Sequence, residues 1–169
     1  HDYELIKKIK KKYPHLKIIV AGPISTSDQK WDSDIIYAIL KGEYEKNIMK
    51  VINGQTGLIE HDLLTLEEMN NAPYPYYDEN IYNKYFDGNP IPMNQLSPQA
   101  HVLTSRGCPF KCIFCVWPAA MTGNDPDGEN KRSVRQYSAN YMEGFLDELT
   151  TKYKFQSIYF DDDTFNIGN

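Results

Sequence analysis

Two short runs rich in strand-forming residues, "QAHVLTS" at 99–105 and "FQSIYFDDD" at 155–163, lie on either side of a helical stripe. Met142, Phe145, Leu146 and Leu149 follow the i, i+3, i+4, i+7 spacing of one helix face, and Ser138 stands where an N-cap belongs. The spacing predicts a helix over 138–153. Strand, loop, helix and strand in that order make one βαβ unit, which requires the two strands to run parallel. That pattern commits this part of the chain to an α/β fold.

The front of the chain repeats the grammar. Residues 2–13 carry Leu5, Ile6, Ile9 and Tyr13 as a helical stripe backed by lysines. "KIIVAGP" then reads as a strand ended by Gly22-Pro23, and "IIYAIL" at 35–40 as a second strand. A turn at Gly42, a helix from about 43 to 52 and a stop at Asn53-Gly54 complete the block. Residues 55–98 change character, being rich in Pro, Asn and Tyr without a steady period. We read them as an ordered linker, because so many tyrosines would pack against neighbours. The domains expected are therefore 1–54, a linker over 55–98, and 99–169.

The bulk properties exclude several classes. A net charge of −5 over 169 residues does not suggest a nucleic-acid partner. No apolar run approaches the roughly 18 residues of a membrane span. "HDYELIKKIKKKY" lacks the apolar region of a signal peptide. The cysteine count is odd, at 3, so a disulfide framework is not expected and a reducing cytoplasm is. The chain starts at His1 rather than Met and stops soon after a strand, and it reads as a piece of a longer protein.

All three cysteines fall within "TSRGCPFKCIFC", residues 104–115, spaced C-x3-C-x2-C. Cys108, Cys112 and Cys115 could share one helix face as core residues, but Gly107 and Pro109 interrupt a helix at the first of them. A structural zinc site takes four ligands, which would recruit His101 from the preceding strand. Three thiolates suit a 4Fe–4S cluster in which one iron has no protein ligand and can take a substrate. Arg106 and Lys111 flank the thiols and could offset the cluster's charge.

"SRGCPFKCIFC" resembles the signature of the radical S-adenosylmethionine (radical SAM) enzymes, with Phe114 as the aromatic residue before the last cysteine. "FCVWPAAMTG" and "SIYFDDDTFN" look like the cobalamin-binding branch of that superfamily. In residues 17–52, "AGPIST" stands for its Gly-Gly-Pro loop and "GEYE" for its Gly-Glu-x-Glu turn. Ala21 and Ile24 depart from that pattern, and no Asp-x-His-x-x-Gly supplies a lower axial histidine for cobalt.

The resemblance implies an α/β architecture in which 1–54 ends a Rossmann-like cobalamin-binding domain and 99–169 opens a partial (β/α)6 barrel. It implies Cys108, Cys112 and Cys115 as cluster ligands, and Phe114, Asp161, Asp162 and Asp163 as contacts to S-adenosylmethionine. Gly22, Pro23, Gly42 and Glu43 would touch cobalamin. The implied reaction is reductive cleavage of S-adenosylmethionine to a 5′-deoxyadenosyl radical, with cobalamin-dependent methyl transfer to a small-molecule substrate as the leading outcome. Oxidative ring closure on a tetrapyrrole is the alternative within the family, and a non-catalytic metal-binding module the alternative outside it. A reductant such as a flavodoxin or ferredoxin is implied as partner, with no nucleic acid and no membrane. About two of the six barrel strands are expected in these residues, so later contacts to S-adenosylmethionine would lie elsewhere.

Overall fold

A computed structural model describes residues 2–26, 30–78, 98–110, 112–115, 134–165 and 167. The chain divides into two compact units, 1–64 with 107–133, and 65–106 with 134–169.

The first unit opens with helix α1 (Asp2–Lys12). Acidic residues in its first turn and lysines in its last complement the helix dipole. Lys10 Nζ also donates to the carbonyls of Pro14 and Leu16, each at 2.8 Å, satisfying groups just past the helix end. The expected apolar stripe forms but is not buried: Leu5 is 58% exposed, and no residue of α1 is buried. Periodicity makes the helix amphipathic, and only a packing partner could bury the face.

Strands β1 (Ile18–Val20), β2 (Ile36–Leu40) and β3 (Gly57–Ile59) form a parallel sheet in that order. Ile36, Ala38 and Leu40 alternate into the core while Tyr37 and Ile39 stay half-buried, the two-residue period of a pleated strand. Helix α2 (Glu45–Ile52) buries Val51 and Asn47, with Val51 joining Ala38, Leu40 and Ile59 in one cluster. Asn47 is fully buried yet satisfied, donating from Nδ2 to the Glu60 carbonyl at 3.0 Å and accepting from Lys50 Nζ at 3.0 Å.

Two elements lie where the sequence suggested only linker. Strand β3 is three residues long, too short to show a period. Helix α3 (Leu66–Asn71) is nucleated by a capping box in "TLEE": Glu68 N–H donates to Thr65 Oγ1 at 3.1 Å, and Thr65 N–H to Glu68 Oε2 at 2.7 Å. The tyrosines that follow do pack. Tyr74 meets Tyr141 and Phe145 at ring distances of 4.9 and 5.3 Å, and Tyr77 lies 5.0 Å from Phe155. Residues 79–97 of the expected linker lie outside the described residues.

In the second unit, strands β4 (Gln99–Val102) and β7 (Ser157–Phe160) pair in parallel, in the register Gln99↔Ser157 to Val102↔Phe160. Helix α4 (Ala139–Thr151) connects them, so the βαβ unit is present. The Ser138 hydroxyl accepts from Tyr141 N–H at 3.2 Å, the N-cap bond its sequence position implies. Met142, Phe145 and Leu149 are buried against Ala100, Val102, Tyr153 and Phe155, with Leu146 partly buried beside them. "QAHVLTS" does not form one strand. After Val102 the chain turns into β5 (Ser105–Arg106), which pairs antiparallel with β6 (Arg135–Gln136). Among the described residues no sheet closes into a barrel, and no helix is long and apolar enough to cross a membrane.

Candidate functional site

The strand ends carry the candidate residues in two separate places. In the first unit, Gly22-Pro23 follows β1 and Gly42-Glu43 follows β2, so both turns stand at the carboxyl edge of the parallel sheet. That edge is where open α/β sheets bind ligands. Gly22 and Gly42 have φ of +84° and +69°, which only glycine adopts without strain. Ser25 is buried behind the first turn, its hydroxyl donating to the Gly22 carbonyl at 2.7 Å. Glu43 is 5% exposed and accepts from Leu64 N–H at 3.0 Å, so at least one carboxylate oxygen braces the chain after β3.

His61, absent from the sequence candidates, stands at this edge after β3, with its ring against Gly42. Its Nε2 is buried and has no hydrogen-bond partner among the described residues. An orphaned polar atom beside the Gly42 turn is compatible with a ligand at this edge. No spacing marks His61 in the sequence, since its place comes from the β2–β3 pairing. Alanine at Gly42 would place a methyl group in the His61 ring, on a backbone that already costs a side chain about 1–2 kcal/mol. Gly42→Ala is expected to destabilise by at least that amount, read as a lower urea midpoint.

The cysteine loop leaves the second unit at Arg106 and returns to it at Val134. All three thiols are free: Cys108 is buried, Cys112 exposed and Cys115 half-buried. Cys115 N–H donates to the Cys112 carbonyl at 3.0 Å, so the last two cysteines sit on one tight turn. Phe114 on that turn is 88% exposed, beside a fully exposed Ile113. The donor set suits a soft metal centre. Among the described residues, however, no three His, Cys, Asp or Glu side chains are arranged to hold a metal ion. Lys111, Trp117 and Pro118 lie outside the described residues. His101 projects from β4 beside Tyr159 of β7, ring centres 5.2 Å apart.

The three aspartates follow β7 and are not equivalent. Asp161 continues the ladder, its N–H donating to the Val102 carbonyl at 2.9 Å, with its side chain exposed. Asp162 is half-buried and turned inward: Thr104 N–H donates to both of its oxygens at 3.0 Å, Thr104 Oγ1 donates at 3.0 Å, and Ser105 Oγ at 2.6 Å. Asp163 faces outward. Partial desolvation, and then the like charges of Asp161 and Asp162, raise its carboxyl above the ordinary carboxylate range.

A raised carboxyl pKa means that the folded state prefers this group protonated. The resulting penalty is absent below the unfolded value of 3.8 and is complete once pH passes the raised folded value. Asp163→Asn is therefore expected to stabilise the protein at neutral pH, by less than about 1 kcal/mol because solvent screens the exposed group. The gain should vanish near about pH 3, where both states are protonated. Urea titrations of both proteins at the two pH values test the sign.

A mixed α/β protein with small parallel sheets, a three-thiol loop and a carboxylate-rich strand end is the class that fold and sites define. No family model matches the chain, and no solved structure matches it. A protein of Pyrococcus horikoshii described as an uncharacterized methyltransferase is 26% identical to it over 141 residues, covering 80% of this chain and 26% of its own length. The chain thus spans about a quarter of the length of the curated relative it matches.

Proposed function

We propose that the chain is part of an enzyme, a methyltransferase that cleaves S-adenosylmethionine reductively at a 4Fe–4S cluster to give a 5′-deoxyadenosyl radical. The observation that carries this reading is the C-x3-C-x2-C loop, which holds every cysteine of the chain as a free thiol. The likeness to a protein described as a methyltransferase supports the choice of methyl transfer over ring closure on a tetrapyrrole.

When bound, a cluster with three thiolate ligands supplies an open iron for the methionyl group and one electron for the C–S bond. Cys108, Cys112 and Cys115 would hold it. The exposed Phe114 ring is available to cover the adenosyl group. Asp161 and Asp163 are the outward carboxylates at the end of β7, and a nearby ammonium would offset the like charges that raise the Asp163 carboxyl. In the first unit, Gly22, Pro23, Gly42 and Glu43 would line the cobalamin side, with His61 Nε2 offering a free polar atom. On this reading, 1–54 belongs to a cobalamin domain and 99–169 to a partial barrel. The small-molecule substrate and a flavodoxin- or ferredoxin-like reductant are its partners.

Anaerobic reconstitution of the protein with iron and sulfide tests the reading. About four irons per chain, and a paramagnetic signal on reduction that changes when S-adenosylmethionine is added, are expected. Zinc without acid-labile sulfide would identify a metal-binding module instead, and a cluster whose signal ignores S-adenosylmethionine would identify an electron-transfer protein.

A further inference from the structure

The polar groups around residues 104–106 converge on the root of the cysteine loop. Thr104 offers its backbone N–H and its hydroxyl to Asp162, and Ser105, itself 7% exposed, adds its hydroxyl at 2.6 Å. Tyr137 N–H donates to the Thr104 carbonyl at 2.9 Å. Arg106 donates from Nε and Nη2 to the Tyr137 hydroxyl at 3.2 and 3.0 Å, while β5 and β6 pair at the same level. One carboxylate thus takes hydrogen bonds from three donor groups on two successive residues. Bonds to an ionised acceptor are the strong ones, and the buried Ser105 hydroxyl and half-buried Thr104 donors would lose their partner without it.

We infer that Asp162 is a positioning residue: it anchors the root of the cysteine loop at Thr104 and Ser105, just ahead of Cys108, and is not a cofactor contact. This rests on the proposed reading for its consequence, since a fixed root sets where the first cluster thiol begins. The triple aspartate then divides its work. Asp162 faces the loop root, whereas Asp161 and Asp163 are exposed. The 58-residue separation between Thr104 and Asp162 hides the contact from any local pattern.

Alkylation of the three thiols in metal-free protein, followed residue by residue by mass spectrometry, tests the anchor without any cluster. In the unsubstituted protein, Cys108 is expected to react well behind the exposed Cys112. Asp162→Ala should speed Cys108 by at least about tenfold, the effect of losing even one of its charge-assisted hydrogen bonds, while Cys112 stays unchanged. Asp162→Asn keeps one acceptor oxygen and should restore part of the protection, and Asp161→Ala should change nothing. Ser105→Ala removes the shortest bond without stranding a charge, and should give a smaller change of the same sign if Asp162→Ala fails to fold. An unchanged Cys108 rate in a folded Asp162→Ala or Ser105→Ala protein would overturn the anchor, as would equal acceleration by Asp161→Ala. Failure to take up iron alongside the expected thiol pattern would instead count against the cluster reading alone.

Discussion

Alanine at Cys108, Cys112 or Cys115 is expected to take the iron content of the reconstituted protein from about four per chain to near zero. On the proposed reading, three thiolates hold the cluster and leave one of its four irons open. A chain with no further cysteine has no substitute ligand of the same kind. The three variants differ in what else they disturb. Cys108 is 8% exposed, so its alanine variant also loses buried contact. Cys112 is exposed, and Cys112→Ala removes a proposed ligand without touching the core. Iron and sulfide analysis of Cys112→Ala, together with unchanged circular dichroism, isolates ligation from folding. Full cluster content in the triple alanine variant would falsify the assignment.

The second large effect is on stability. Phe145 is 6% exposed, stacks on Tyr74 at 5.3 Å with ring planes 25° apart, and sits in the cluster that joins α4 to β4. Phe145→Ala removes the ring and leaves a cavity that these neighbours fill only in part. The expected cost is about 3–5 kcal/mol. Domains of this size are stable by only about 5–15 kcal/mol, so the second unit would become marginal. A urea midpoint moved by the equivalent of less than about 1 kcal/mol would mean that the cluster is loosely packed. Leu5→Ala on the uncovered face of α1 is the matched control, expected within about 0.5 kcal/mol of the unsubstituted protein.

Ser138, Met142, Phe145 and Leu149 were legible because an N-cap and a helix face are written at fixed short spacings. The thiol loop was legible for the same reason, since its ligands lie within eight residues of one another. Strand β3 and His61 were not, because three residues show no period and a histidine carries no spacing at all. They have a place only because β2 lies beside β3.

The sequence alone determined the α/β grammar, the parallel strands of the βαβ unit and the three thiols as candidate ligands. These follow from local periodicity, and from the fact that a helix between two strands must carry the chain back before the second begins. Tertiary structure decided what each candidate does. It left the stripe of α1 uncovered, turned Glu43 to the chain after β3, and gave Asp162 to Thr104 and Ser105 while Asp161 and Asp163 stayed exposed. Three adjacent aspartates look alike in sequence. They become different when a parallel pairing brings β4 and the root of the cysteine loop to one side of them, because a carboxylate is defined chemically by the donors and charges that reach it.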